Sequence, residues 1–446
     1  MSSNLNIEVY AHACCKISYG ENSILIDPWL VGRTYWDAWQ LDPPASETPE
    51  NVMASAMIIS HWHFDHLNKP TLRRMNKNIP VFVPRFPISW MKSTIDEIGF
   101  LAVEEIPHGK EISLGALRIT PYQSQFNDDC VIVVDTPFGS IINLNDAKPL
   151  PGLVKKIVQK HSPVLATMRS YSPAWSYPSR FDSLGTVNNF QVKPNTYQTM
   201  FFRDSEKFNP RHLIAFASGV SHPHPELRDE GLHRVTFGDL EEFAVGKGLS
   251  RPLLNGLSGT IFEFSEDSIS SNIIRRSDSP VVDQTIPIIN VTEHGSFGIV
   301  DAQFRQFRKW SVLFHLFTLG WIRFRIKIIT TDKSRIFIFD SLKGRISESS
   351  SDIDVTYTIA PDVLVSALRQ SIFTNIDISK RWRVDVHTNF NRHLFFTALY
   401  GLFEHGYLGK RVLKLRVIRE WWLRRSDLWD YFKIVTGRSK TEYFDF

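Results

Sequence analysis

A chain of 446 residues is long enough for two domains or more, and 43% hydrophobic against 22% charged residues excludes disorder over most of its length. A net charge of +4 is too small for this length to mark a nucleic-acid binder. Three cysteines, Cys14, Cys15 and Cys130, exclude a disulfide framework and match no structural zinc or iron–sulfur spacing. The opening Met1-Ser2-Ser3-Asn4-Leu5 lacks the basic start and apolar stretch of a secretory signal. The longest apolar run, Ser311 to Ile322, is too short to span a bilayer. A reducing, cytoplasmic setting is the expectation.

In chain order, Ile7 to Tyr19 and Ser23 to Ile26 read as a hairpin around Gly20-Glu21-Asn22. Ala56 to Ile59 is a short apolar run with the look of a strand buried on both faces, and a helical turn follows at Thr71 to Met75. Val81 to Val83, Ala116 to Thr120, Cys130 to Asp135 and Ser140 to Leu144 read as strands, the last two joined by Thr136-Pro137-Phe138-Gly139. Val164 to Met168, a helix near Tyr197 to Phe208 and Leu213 to Ala217 continue an α/β alternation. From about residue 285 the texture changes to an α+β unit, with a helix starting at Ala360-Pro361-Asp362. The expected division is therefore a first domain over 1–284 and a second over 285–446.

Chemistry concentrates in His61-Trp62-His63-Phe64-Asp65-His66, directly after the Ala56 to Ile59 run. Imidazole nitrogen suits zinc, iron and copper, and a carboxylate adds charge. On extended backbone His61 and His63 project to one side, and a turn after them can bring Asp65 and His66 to a neighbouring position. Four ligand-type residues in six positions are hard to account for by packing.

Ser60 through Leu67 resembles the HxHxDH signature of the metallo-β-lactamase superfamily, in which the histidines of HxH serve one metal and the Asp–His pair a second. Leu25-Ile26-Asp27-Pro28-Trp29 and Tyr10-Ala11-His12-Ala13 are similar to that family's first strands. The resemblance implies an α/β fold, an αββα sandwich, here followed by the C-terminal α+β domain. It also implies downstream ligands: Asp146, after the Ser140 strand, as the metal-bridging aspartate, and His224, with His222 as rival, as the last histidine. Asp27 would anchor a ligand histidine from behind. The histidine that the family places ahead of the Cys130 strand is missing; Asp128 or Gln125 could substitute, or the site could hold a single metal. The implied cofactor is zinc, one or two ions, with iron as the alternative. The metal would activate water and polarise a carbonyl or phosphoryl oxygen, with Asp65 orienting the nucleophile.

Within the superfamily, His12-Ala13-Cys14-Cys15-Lys16, Asp27 to Gly32, Ile59 to Leu72 and His393-Leu394-Phe395-Phe396 resemble the CMP-N-acetylneuraminate hydroxylases. Those enzymes carry an N-terminal Rieske [2Fe–2S] domain, whose paired Cys and His motifs this sequence lacks. Three readings follow. The first is a metallo-hydrolase of a phosphodiester, lactone or related ester. The second is an oxygenase component fed electrons by a separate Rieske or reductase protein. The third is a non-catalytic binding module with a degenerate site.

Arg169 and Trp36, each in a loop rich in aromatics, are candidate contacts to a small phosphate- or sugar-bearing substrate, with packing between domains as the plainer alternative. Residues 410–440 carry ten Lys or Arg against three acidic residues, interleaved with Trp421, Trp422 and Trp429, a composition compatible with peripheral membrane contact. Nothing indicates sequence-specific nucleic-acid recognition.

Overall fold

Alternate burial sets the first sheet. In Leu5–Ala11, Leu5, Ile7, Val9 and Ala11 are buried and the residues between them are partly exposed, as a period of two requires of a strand with one covered face. The computed structural model describes residues 4–124, 129–172, 174–177, 179–186, 195–227, 234–265, 269–273, 298–317, 323–333, 335–341, 352–408 and 415–425. Leu5–Ala11 pairs antiparallel with Cys14–Tyr19, which pairs antiparallel with Asn22–Ile26. The single strand expected from Ile7 to Tyr19 is thus broken at His12-Ala13, where the register shifts between Val9 and Ala11 and His12 takes a φ of 36°. Ala56–Ile58, Val81–Pro84 and Val103–Ile106 extend the sheet in parallel on one side, and Thr260–Phe264 and Ile269–Ile273 complete the other.

The second sheet runs Leu253–Asn255, His212–Ala215, Val164–Arg169, Gly139–Asn145, Asp129–Thr136, Leu117–Ser124, Ile112–Leu114 across its width. Asp129–Thr136 is apolar almost throughout because both its faces are covered. Cys130, Ile132 and Val134 join the core shared with the first sheet. Val131 and Val133 pack instead with Leu153, Val154 and Ile157 of the helix Pro151–His161. Beyond the first sheet, the same shared core takes in Leu72 of Lys69–Arg74 and Met91 and Ile95 of Trp90–Ile98. Two sheets with helices outside them give the expected αββα layering.

A third sheet has the order Phe181–Thr186, Trp382–Asn389, Val355–Ile359, Arg325–Thr330, Ile336–Asp340. Its edge strand Phe181–Thr186 comes from the first half of the chain and pairs in parallel with Trp382–Asn389. Aromatic rings from Gly298–Phe317 (Phe304, Phe307) and Phe390–Glu404 (Phe396, Tyr400) pack around Phe339 and Phe373. The expected boundary near residue 285 lies outside the described residues. Of the basic 410–440 segment, the described part is the helix Leu415–Leu423 and its end, where Leu415 and Trp422 are exposed and the buried Arg424 donates to the Tyr407 hydroxyl. Among the described residues, no helix is long and apolar enough to cross a membrane.

Candidate metal centre

Polar residues that follow the carboxyl ends of strands meet at one place. Asp27 follows Asn22–Ile26, the His61 to His66 loop follows Ala56–Ile58, and Asp146 follows Gly139–Asn145. Asp27 is fully buried, a position that costs several kcal/mol for an unpartnered carboxylate. Its oxygens accept from the Ser60 amide and hydroxyl, both at 2.6 Å, and from Asn145 Nδ2 at 2.7 Å. His66 Nδ1 completes the set at 2.9 Å, which fixes that ring and turns Nε2 toward the carboxylates of Asp65 and Asp146, each 3.3 Å away.

Asp65 is held from two sides: the Tyr35 hydroxyl donates to Oδ1, and His12 Nε2 lies 3.0 Å from Oδ2. His12 is itself clamped edge-on by Trp29 and Trp39. On the other side of the loop, His61 Nε2 lies 2.8 Å from His63 Nδ1, and Ser60 Oγ sits 2.9 Å from His61 Nδ1. The potential ligand atoms form two groups, each within 4.8 Å: His12, Asp65 and His66, and His61, His63 and Asp146.

Electrostatics suits these groups to a cation. Burial pushes the His63 imidazole down to about 4 and His61 well below its ordinary value, so both are neutral near pH 7 with a ring nitrogen lone pair to offer. Burial opposes ionisation of Asp65, but His66 and His12 beside it hold its carboxyl well below the usual range. The donor set is imidazole and carboxylate, which zinc and iron both accept. Cys14, Cys15 and Cys130 are buried, their thiols raised by that burial, and belong to neither group. The residues present therefore fit the metal that the sequence implies.

Of the expected ligands, the structure brings together His61, His63, Asp65, His66 and Asp146, with Asp27 behind His66. It places His224 in neither group. His224 precedes the short turn Pro225–Leu227, its carbonyl accepting from Leu227 N and its Nδ1 from Glu226 N. His222 sits with Nδ1 3.3 Å from the Ala38 carbonyl and its ring against Trp39. Asp128 and Gln125 lie outside the described residues, but Asp129 next to them puts Oδ1 3.9 Å from His61 Nε2.

The two expected substrate contacts are occupied within the protein. Arg169 is buried, pairs with Asp204 at 2.8 Å and donates to the Ala147 carbonyl, which braces the turn carrying Asp146. Trp36 Nε1 donates to Ser366 Oγ at 2.9 Å, tying the loop after the third strand to the helix Pro361–Gln370. His12 is the member of the two groups that sequence reasoning passed over. Its signal was a histidine at the break of an opening strand, far in sequence from the cluster it joins.

Residues 22–139 match the family model of the beta-lactamase superfamily domain. Those residues contribute strands to both sheets and include the His61 to His66 loop. The chain is similar to two cytidine monophosphate-N-acetylneuraminic acid hydroxylases. The Asterias rubens protein is 38% identical over 84 residues, 18% of this chain and 13% of its own length. The Mus musculus protein is 30% identical over 114 residues, 24% of this chain and 19% of its own. The matches thus span less than a fifth of these curated relatives. Among solved structures, an isothiocyanate hydrolase from Delia radicum gut bacteria aligns with a TM-score of 0.43 at 16% identity, covering 58% of this chain and 99% of its own.

Proposed function

We propose that the protein is a metal-dependent hydrolase that directs water at a phosphodiester, lactone or related ester. The observation that carries this reading is the pair of adjoining three-residue groups, His12–Asp65–His66 and His61–His63–Asp146. A bound zinc ion would supply Lewis acidity and lower the pKa of water at this point. The chain's own residues do the rest. Asp27 keeps the His66 ring in one orientation, and Tyr35 and His12 do the same for Asp65. Asp146, with its side chain 26% exposed, is the carboxylate of the cluster most open to an incoming water or substrate. Asp65, nearly closed to solvent, acts by its fixed charge, orienting the nucleophile as the sequence suggests.

The hydroxylase relatives favour a second reading, in which the same cluster holds iron and the chain works as an oxygenase component with a separate Rieske or reductase partner. Elemental analysis of purified protein, followed by turnover assays, separates the two. Zinc with hydrolysis of a phosphodiester or lactone supports the first reading. Iron, with turnover only in the presence of oxygen and a reductase, overturns it in favour of the second. Protein that purifies without metal and takes none up overturns both.

A further inference from the structure

Trp62, but none of the candidate metal ligands, lines a cavity of about 920 Å³. That size is in the range of small-molecule sites, roughly 300–1,000 Å³. Its wall is assembled from segments distant in sequence: the metal loop, the helix Trp90–Ile98, the helix Gly298–Phe317, the end of Pro361–Gln370 and residues 403–408. Lys69, Lys309 and Arg369 bring positive charge to it from three different helices. Glu404 is the carboxylate among the lining residues, and it is committed elsewhere. Its oxygens accept from the Phe373 and Thr374 amides and from the Thr374 hydroxyl. The lining is therefore positive.

Much of its apolar part is ring surface. Trp62, Trp90 and Trp310 all line the cavity, with Trp62 edge-on to Trp90 at 5.6 Å and to His405 at 4.5 Å. Cations and indole rings together describe a site for a molecule with an anionic end and a ring.

We propose that this cavity binds a small organic oxyanion, its phosphate or carboxylate on Lys69, Lys309 and Arg369 and its ring against Trp62, Trp90 and Trp310. Trp62 stands between His61 and His63, so the ligand lies beside the metal-ligating loop. That this ligand is the substrate rests on the hydrolase reading; that it binds does not.

The probe is phenylphosphonate, whose carbon–phosphorus bond a phosphoesterase does not cleave, with inorganic phosphate and benzyl alcohol as its separate halves. Binding to the full-length protein is followed by calorimetry and tryptophan fluorescence. Lys309 is exposed, so Lys309→Glu leaves the fold intact and reverses one charge of the site. Phenylphosphonate is expected to bind more tightly than either half, and to lose about tenfold or more in affinity in Lys309→Glu. Trp310→Leu should weaken phenylphosphonate but not inorganic phosphate. His63→Ala should change metal content and leave phenylphosphonate affinity as it was. The proposal is overturned if phenylphosphonate shows no saturable binding. It is also overturned if binding survives Lys309→Glu and disappears in His63→Ala, which would put the anion on the metal centre instead.

Discussion

His66 Nδ1 lies 2.9 Å from a carboxylate oxygen of Asp27, and both side chains are fully shut off from solvent. Among the described residues, the other hydrogen bonds to that carboxylate come from Ser60 beside His61 and Asn145 beside Asp146. Asp27 therefore holds the His66 ring while belonging to neither group of candidate ligands.

Asp27→Asn replaces an acceptor with an amide that faces the Ser60 and Asn145 donors. Removing one partner of a buried charged network costs about 3–5 kcal/mol, and losing such a supporting carboxylate costs about 10–100-fold in metal affinity. The variant should melt well below the wild type and hold less metal after dialysis. A wild-type melting curve with full metal content would show that Asp27 only caps its strand.

His12→Ala tests the residue that joins Asp65 and His66 from the opening strand. If His12 is a ligand, metal per chain falls while the His61–His63–Asp146 group keeps its share. Elemental analysis with a folding check by circular dichroism reads this directly. Unchanged stoichiometry and affinity would reduce His12 to a hydrogen-bond partner of Asp65.

Asp204 is buried among Arg169, Arg203 and Lys207. Burial alone would raise its carboxyl, but these cations hold it well below the usual range. A depressed folded pKa means that the unfolded chain binds the proton first, so this contribution is complete above an ordinary Asp pKa of about 3.9. It is lost as pH falls further, through the folded value. Asp204→Asn should lower stability by about 3–5 kcal/mol at pH 7, because Arg169 is left buried and unpaired, and the gap to wild type should narrow below about pH 4. Chemical denaturation at several pH values measures it. A constant gap would mean that the cluster contributes packing and not charge.

His393 is buried against Tyr357, whose hydroxyl lies 2.8 Å from Nδ1, and burial pushes the imidazole down to about 3. The unfolded chain takes up the proton near an ordinary His pKa of about 6.5. Stability from the neutral ring is thus complete above that pH and is lost as pH falls toward the folded value. Relative to His393→Gln, the wild type should give up about 3 kcal/mol between pH 7 and pH 4. A gap independent of pH would overturn the assignment.

Much of the cluster was legible because four of its candidate ligands are packed into six consecutive residues after a short apolar strand. Asp146 could be found from its place at a strand end. The rest depends on partners that no local pattern reveals. Arg169 carries the same signature in sequence whether it meets a phosphate or Asp204, thirty-five positions away. Trp36 could equally have lined a pocket; Ser366, which it meets, sits on a helix of the second half. His224 looked equivalent to the ligands because a histidine after a strand reads the same whether its ring enters a cluster or caps a turn. The α/β alternation was visible in strand-length apolar runs, and the αββα layering was implied by the family resemblance. The parallel pairing of Phe181–Thr186 with Trp382–Asn389 was not, since the partners are about two hundred residues apart.

That last pairing has a practical consequence for anyone dividing the chain. Expressed alone, residues 1–284 would keep Phe181–Thr186 but lose the neighbour that receives its backbone hydrogen bonds. An orphaned strand of this kind offers a row of open N–H and C=O groups to any passing chain. The truncated piece should therefore clump or call on chaperones, and co-expression with residues 285–446 should restore its solubility by supplying the missing strand in trans.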